Sequence, residues 1–409
     1  MLGAQICSQS AALNTCLLGK FGMSSTVEQI KERLSIVDVV SSYLKLEKAG
    51  KNLKARCPFH TEKTPSFMIS PGREAFHCFG CGKGGDIFTF VEEVEGLDFS
   101  GALKVLADRA GVTIPRFDSK TEDKKKRIYS VLEEATLFFE AQLRAHKEAG
   151  EYLKSRGLEG KTAKIWRLGY ALPEWRTLYS FLKDNNFTDE EMAQAGLTSA
   201  SPGRIYDRFR GRIIFPILDS SGRPVAFSGR IFVEMQDGAA PSAKYINSPE
   251  TELYSKSRIL YGFDKAKMGI RKQDSCIVVE GQMDVIMSHQ AGFANTVAAG
   301  GTALTEEHLS LIGRLTKNII LAFDADEAGF RAMERGIGLA LSSGFAVSIV
   351  HLPQDRDPAD IVKADEKKWG EYIGKAKHVI EFYLDMILEA HKDERSARLK
   401  VEEKVIPFI

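Results

Sequence analysis

The sequence has little cysteine, no long apolar run and almost no net charge. Six cysteines among 409 residues are too few and too unevenly spread for a disulfide framework; Cys57, Cys78 and Cys81 gather near His60, while Cys7, Cys16 and Cys276 stand alone. That distribution points to metal binding in a reducing, cytoplasmic compartment. Nowhere does an apolar run reach the ~18 residues that a membrane-spanning helix needs. The 56 Lys and Arg nearly cancel the 55 Asp and Glu, leaving +1. A chain so balanced can grip a polyanion only by separating its charges into a basic groove and an acidic site, so net charge neither supports nor excludes a nucleic-acid partner. No internal repeat is present, and 44% hydrophobic with 27% charged residues indicates neither wholesale disorder nor a membrane bundle.

The length suggests roughly two or three domains. Residues 1–22 are Ser/Ala-rich, carry no acid and one Lys, and read as an N-terminal extension without fixed structure rather than a targeting segment. Apolar residues at helical spacing (Ile30, Leu34, Val37, Val40, Leu44) predict one helix from Thr26 to Leu46. Short β-prone pieces between Pro/Gly turns follow, around Leu53, Phe67 to Ile69 and Ala75 to Phe79, and then two amphipathic helices, Ile87 to Val94 and Phe99 to Ala110. Residues 116–127, RFDSKTEDKKKR, have almost no apolar content and read as a linker closing a first domain of residues 23–115. Beyond it, β-rich stretches at Ile213 to Asp219 and Pro224 to Phe232 mark a second region, 128–272. From Cys276 strands alternate with helices (CIVVE, NTVAA, IILAF, AVSIVHL), which predicts a parallel sheet over 273–366 with ligands at the carboxyl ends of its strands. Residues 367–409 read as closing helices.

Cys57-x-x-His60 and Cys78-x-x-Cys81 are two tight pairs of soft or borderline ligands, and two such knuckles close a tetrahedron. Pro58, Gly80 and Gly82 supply the turns. His77 breaks the paired spacing and reads as a surface residue. With four protein ligands no position is left for water, so one structural Zn²⁺ is expected. Lys51, Lys54, Arg56, Lys63, Arg73 and Lys83 surround Phe59, Phe67, Phe76 and Phe79; interleaved cations and aromatics grip single strands, though most of these rings serve equally well as the small domain's own core. Gly82-Lys83 is no phosphate loop, because Gly84 follows the lysine where Ser or Thr is needed.

Glu280 ends the strand CIVVE, Asp284 follows at the next turn, and IILAF runs into Asp324-Ala325-Asp326. Carboxylates delivered from strand ends of one parallel sheet converge on a shared edge, and hard oxygen ligands in this number suit Mg²⁺ or Mn²⁺. A third acidic turn, Asp355 to Asp360 with Asp357 before Pro358, follows AVSIVHL. Asp284, Asp326 or Asp360 taken singly could instead be a helix cap. Before the sheet, Ile205 to Lys267 holds Arg208, Arg210, Arg212, Arg230, Lys244, Lys256 and Arg258 with Tyr245, Asn247, Ser248 and Thr251 between them. Such a stretch beside an acidic metal site suits a template strand and triphosphates.

Taken together, CPFHTEKTPSF, HCFGCGKGGD, RFRGRIIFPILD, AFSGR, KYINSPET, VEGQMD and FDAD resemble the bacterial DnaG-type primase family from about Met23 to Ile409. The resemblance implies an α+β multidomain protein, a small zinc-ribbon-like domain ahead of a mixed α/β core containing a Toprim subdomain, whose parallel sheet is flanked by helices. It implies synthesis of short RNA primers from ribonucleoside triphosphates on single-stranded DNA. Carried over by position, it puts zinc on Cys57, His60, Cys78 and Cys81. It makes Glu280 a general base or organiser of the Mg²⁺ site, with Asp324, Asp326 and Asp357 as ligands and Asp284 close by. Arg156, Arg230, Lys244, Tyr245 and Lys256 match positions that handle DNA or nucleotide, and Asn247 lies in the same block. The family's usual acid directly after the proline is here Ala359, and Asp360 comes one residue later. A replicative helicase is the expected partner, which family members dock through a further helical domain; this sequence ends inside what reads as the core's closing helices, so it is either a fragment or couples to the helicase otherwise. The competing reading is a Toprim nuclease or topoisomerase-like enzyme using the same acids; a topoisomerase needs a nucleophilic tyrosine presented to DNA, and none of the eleven stands out.

Overall fold

The computed structural model describes residues 26–60, 62–97, 99–114, 119–233, 243–323, 327–353, 356–390 and 393–406. The chain divides into two compact units, Met1–Asp123 and Lys124–Ile409. In the first, five short strands form one antiparallel sheet in chain order, β1 (Glu47–Ala49), β2 (Asn52–Ala55), β3 (Phe67–Ser70), β4 (Ala75–Cys78) and β5 (Gly84–Gly85). Phe67 and Ile69 alternate inward from β3 and Phe76 from β4. With Phe59 and Phe90 they pack against the helices Ile87–Glu95 and Phe99–Ala110. Asp86 caps the first of these, accepting from the backbone of Phe88 and Thr89. The expected single helix over Thr26 to Leu46 is instead two: helix at 26–33 stops, and Ser35 starts Ile36–Ser41 by accepting from the Asp38 N–H. Apolar periodicity continues across the break because both helices face one core.

The charged stretch read as a linker carries helix from Ser119 onward, in Ser119–Ala145, and the two units divide inside it. Its Lys and Glu residues lack apolar surface but are good helix formers, so composition alone could not separate helix from linker. The second unit holds two sheets of four and five strands. One is antiparallel in the order β11-β10-β9-β6, built from β6 (Gly169–Ala171), β9 (Arg212–Leu218), β10 (Pro224–Ile231) and β11 (Tyr245–Asn247); β7 (Thr198–Ser201) and β8 (Arg204–Asp207) form a separate ribbon. Strand β9 is buried along its whole length. Its Ile213, Phe215 and Ile217 join one core and Ile214 another.

The other sheet runs β13-β12-β14-β15-β16, with β12 (Cys276–Val279), β13 (Thr296–Ala298), β14 (Asn318–Leu321) and β15 (Ala346–Ile349) parallel and β16 (Lys377–His378) antiparallel. Both faces of β12 are buried, Ile277 and Val279 in one core and Cys276 and Val278 in the other, so apolar residues run unbroken. The chain passes from β13 back across β12 to β14, and this reversal of direction opens a crevice at the carboxyl ends of the strands. No helix among the described residues is long and apolar enough to cross a membrane.

Candidate metal centres and nucleotide cavity

The ligand atoms of Cys57, His60, Cys78 and Cys81 all lie within 4.8 Å of one another. Cys57 Sγ stands 3.9 Å from Cys81 Sγ, and Cys78 Sγ 3.7 Å from His60 Nδ1. Sulfurs about 2.3 Å from a tetrahedral zinc are about 3.8 Å apart, so the four atoms outline the shell that zinc takes. The Phe59 N–H points at Cys57 Sγ (3.3 Å) and the Cys81 N–H at Cys78 Sγ (3.5 Å), donors that suit thiolates. Without a cation, burial pushes the Cys57 thiol well up from its ordinary range. Gly80 is required by close packing, since a Cβ there would come within 2.5 Å of His60 Nε2. His77 is outside the cluster and packs edge-on against Phe79, centroids 4.8 Å apart. Phe59, Phe67 and Phe76 belong to the core, whereas Phe79 is 74% exposed.

At the crevice of the parallel sheet lies a cavity of about 610 Å³. Glu280, Asp284 and Asp357 line it together with Arg230, Lys244, Tyr245 and Asn247. Asp324 and Asp326 fall outside the described residues, although Phe323, which immediately precedes them, lines the cavity. Asp284 is buried, its Oδ2 accepting from the Gly281 N–H and its Oδ1 from the Ala359 N–H, both at 3.1 Å. It therefore ties the turn after β12 to the third acidic turn. Asp357 caps the helix Pro358–Ala364 through the Asp360 N–H (2.7 Å), and Asp360 itself pairs with Arg156 Nη2 at 3.7 Å. Arg156 and Lys256 do not line this cavity. A larger one of about 890 Å³, walled by Leu143, Leu153, Leu158 and Leu168, contains none of the residues singled out in the sequence.

The cations are held by aromatic and carbonyl groups. Arg230 Nη1 donates to Tyr245 Oη at 3.0 Å and its guanidinium stands over that ring. Burial works against the Arg230 charge, but Tyr245 and Tyr152 outweigh it and keep its pKa above the ordinary value. Burial also raises Tyr245, which stays a neutral phenol. Arg208 and Arg212 are spent on structure, Arg208 on the Asn247 carbonyl (2.8 Å) and Arg212 on the Gly229 and Ala243 carbonyls (3.0 Å each). Sequence reasoning missed the turn Gly300-Gly301-Thr302 and Arg335, which also line the cavity. Both glycines have positive φ (65° and 92°), and Asn247 Nδ2 donates to the Gly300 carbonyl at 3.1 Å. A glycine pair directly after NTVAA was a readable signal; Arg335 carried none. Also missed was Trp175, over which Arg204 and Arg210 stack at 4.8 and 4.1 Å from the ring centroid.

Family models match in the same order: CHC2 zinc finger at residues 23–122, the N-terminal domain of the DNA primase catalytic core at 138–267, and Toprim-like at 277–362. A DNA primase of Clostridium acetobutylicum is 36% identical over 94% of this chain and 63% of its own length. One from Aquifex aeolicus is 38% identical over 83% of this chain and 67% of its own. This chain belongs to the DNA primase family. The crystal structure of the zinc-binding and RNA polymerase domains of the Aquifex aeolicus primase matches with TM-score 0.61 at 35% identity, covering 93% of both chains. A primase catalytic domain bound to single-stranded DNA matches with TM-score 0.59 at 27% identity, over 70% of this chain and 90% of its own. The chain spans 63% and 53% of the lengths of the Clostridium and Pseudomonas putida primases.

Proposed function

We propose that this primase-family chain synthesises short RNA primers on single-stranded DNA from ribonucleoside triphosphates. The observation that carries the proposal is one cavity that Glu280 and Asp357 line together with Arg230 and Lys244 at the switch point of a parallel sheet. Held by Glu280, Asp324, Asp326 and Asp357, Mg²⁺ or Mn²⁺ would supply the positive charge that a triphosphate and its departing pyrophosphate require. Arg230, fixed by Tyr245, and Lys244 grip phosphate oxygens in the same cavity. Asn247 holds the glycine turn at 300–301 open to the nucleotide. Asp284 positions the turn that carries Glu280 against the turn that carries Asp357. Trp175 with Arg204 and Arg210 offers the stacked cation and aromatic surface that a single-stranded template uses. Arg156 and Lys256 contact DNA or nucleotide outside the cavity. The zinc domain spans 23–115, the basic part of the core 128–272, the Toprim subdomain 273–366 and the closing helices 367–409. The chain works in the cytoplasm at the replication fork, with a replicative helicase as partner.

De novo synthesis on defined single-stranded templates, read on sequencing gels, tests the proposal. Asp324→Ala should abolish primers while DNA binding by fluorescence anisotropy survives. Normal synthesis by that variant would reject it, and template cleavage without ribonucleotides would favour the nuclease reading.

A further inference from the structure

His60 presents Nδ1 to the ligand cluster, 3.7 Å from Cys78 Sγ, so its proton must sit on Nε2 for Nδ1 to offer a lone pair. Nε2 lies 3.4 Å from Glu62 Oε2. The same carboxylate reaches further. Its Oε1 accepts from the Cys57 N–H at 2.6 Å and from the Ser66 N–H at 3.0 Å, and its Oε2 is hydrogen-bonded by the Ser66 hydroxyl. Ser66 Oγ in turn stands 3.3 Å from Cys78 Sγ. One acid and one hydroxyl thus touch three of the four ligands, joining the first knuckle to the second. Only 10% of the Glu62 side chain is exposed, so these contacts are screened from water.

We propose that Glu62, seconded by Ser66, is a positioning residue for zinc: it fixes the His60 tautomer and ring, holds the Cys57 backbone, and through Ser66 orients the Cys78 sulfur. This rests on the zinc reading of Cys57, His60, Cys78 and Cys81. A carboxylate behind a metal-bound imidazole raises the ring's basicity, and losing such a partner costs about 10- to 100-fold in metal affinity. A glutamine is nearly isosteric but brings a fixed NH₂. Whichever way it turns, it either leaves the Cys57 and Ser66 N–H groups facing donors or confronts His60 Nε2–H with one, which favours the tautomer protonated on Nδ1.

The full chain would be stripped of metal and titrated with zinc against a chromophoric chelator, then with Co²⁺, whose thiolate charge-transfer and visible bands report the geometry of a cysteine-bound metal. Glu62→Gln should bind zinc about 10- to 100-fold more weakly and shift the Co²⁺ bands, and Ser66→Ala should lose less. Unchanged affinity and spectrum in Glu62→Gln would overturn the inference. If the unmodified chain shows no thiolate-bound Co²⁺, the zinc reading itself fails. Should Glu62→Gln be poorly folded, recovery of its circular dichroism on adding zinc supports the inference, and unfolding that persists at saturating zinc overturns it.

Discussion

The zinc cluster and the acid-lined cavity are built in opposite ways. In the zinc module every ligand atom is within 4.8 Å of the others, and further side chains tie the ligands together. In the cavity of the second unit the described acids sit on two turns, Glu280 and Asp284 after β12 and Asp357 before Pro358, and two of them, Asp284 and Asp357, are occupied with backbone N–H groups. A cage of four protein ligands needs nothing from outside and serves structure. A cavity of about 610 Å³ lined by carboxylates together with Arg230 and Lys244 has room for phosphates, which is what the proposed chemistry needs. The difference lies in what completes the charge: the protein in one case and, on the proposed function, the substrate in the other.

The largest effect that would sharpen this contrast comes from Cys78→Ser. Structural zinc supplies on the order of 10 kcal/mol to small metal domains, far above the stability of so small a core. Hydrogen exchange should show residues 26–114 losing protection while the sheets of Lys124–Ile409 keep theirs; equal loss in both units would break the distinction. Next in size, Arg230→Ala should raise KM for ribonucleotides about tenfold or more with a smaller change in kcat, because a charge-assisted grip on phosphate is lost and the fold is not. A variant with normal KM would remove Arg230 from the phosphate wall.

The smallest effect contrasts a carboxylate reserved for the fold with those facing the cavity. Asp207, 2% exposed, accepts from the Leu178 and Tyr179 N–H groups, and burial pushes its pKa up to about 6. Since the folded value lies above the ordinary 3.8, the folded state binds the extra proton between those limits. Stability should therefore fall as pH rises from about 4 to about 6, by about 1 to 3 kcal/mol in urea titrations. Asp207→Asn should flatten that segment of the profile; an unchanged slope would show that Asp207 is not its source.

What was legible in the sequence was local. The Cys57/His60 and Cys78/Cys81 pairs, the helix Phe99–Ala110 and the unbroken apolar run of β12 all follow from spacing within a few residues. Illegible were relations across the chain. That Asp284 binds the backbone of Ala359, 75 residues away, follows from how β12 and the third acidic turn meet, and neither segment announces it. Trp175 and Arg210 are likewise brought together by folding. The break at Ser35 was local yet missed, because an apolar stripe running through it outweighed one serine cap.

Primer synthesis at this cavity requires its acids to hold divalent cations against a triphosphate. Mn²⁺ binding followed by electron paramagnetic resonance, with and without a ribonucleoside triphosphate, tests it directly. The unaltered chain should bind Mn²⁺ more tightly when nucleotide is present, and Glu280→Gln should lose that gain while keeping its fold and its zinc. Equal Mn²⁺ binding by both proteins, with nucleotide and without, would contradict it.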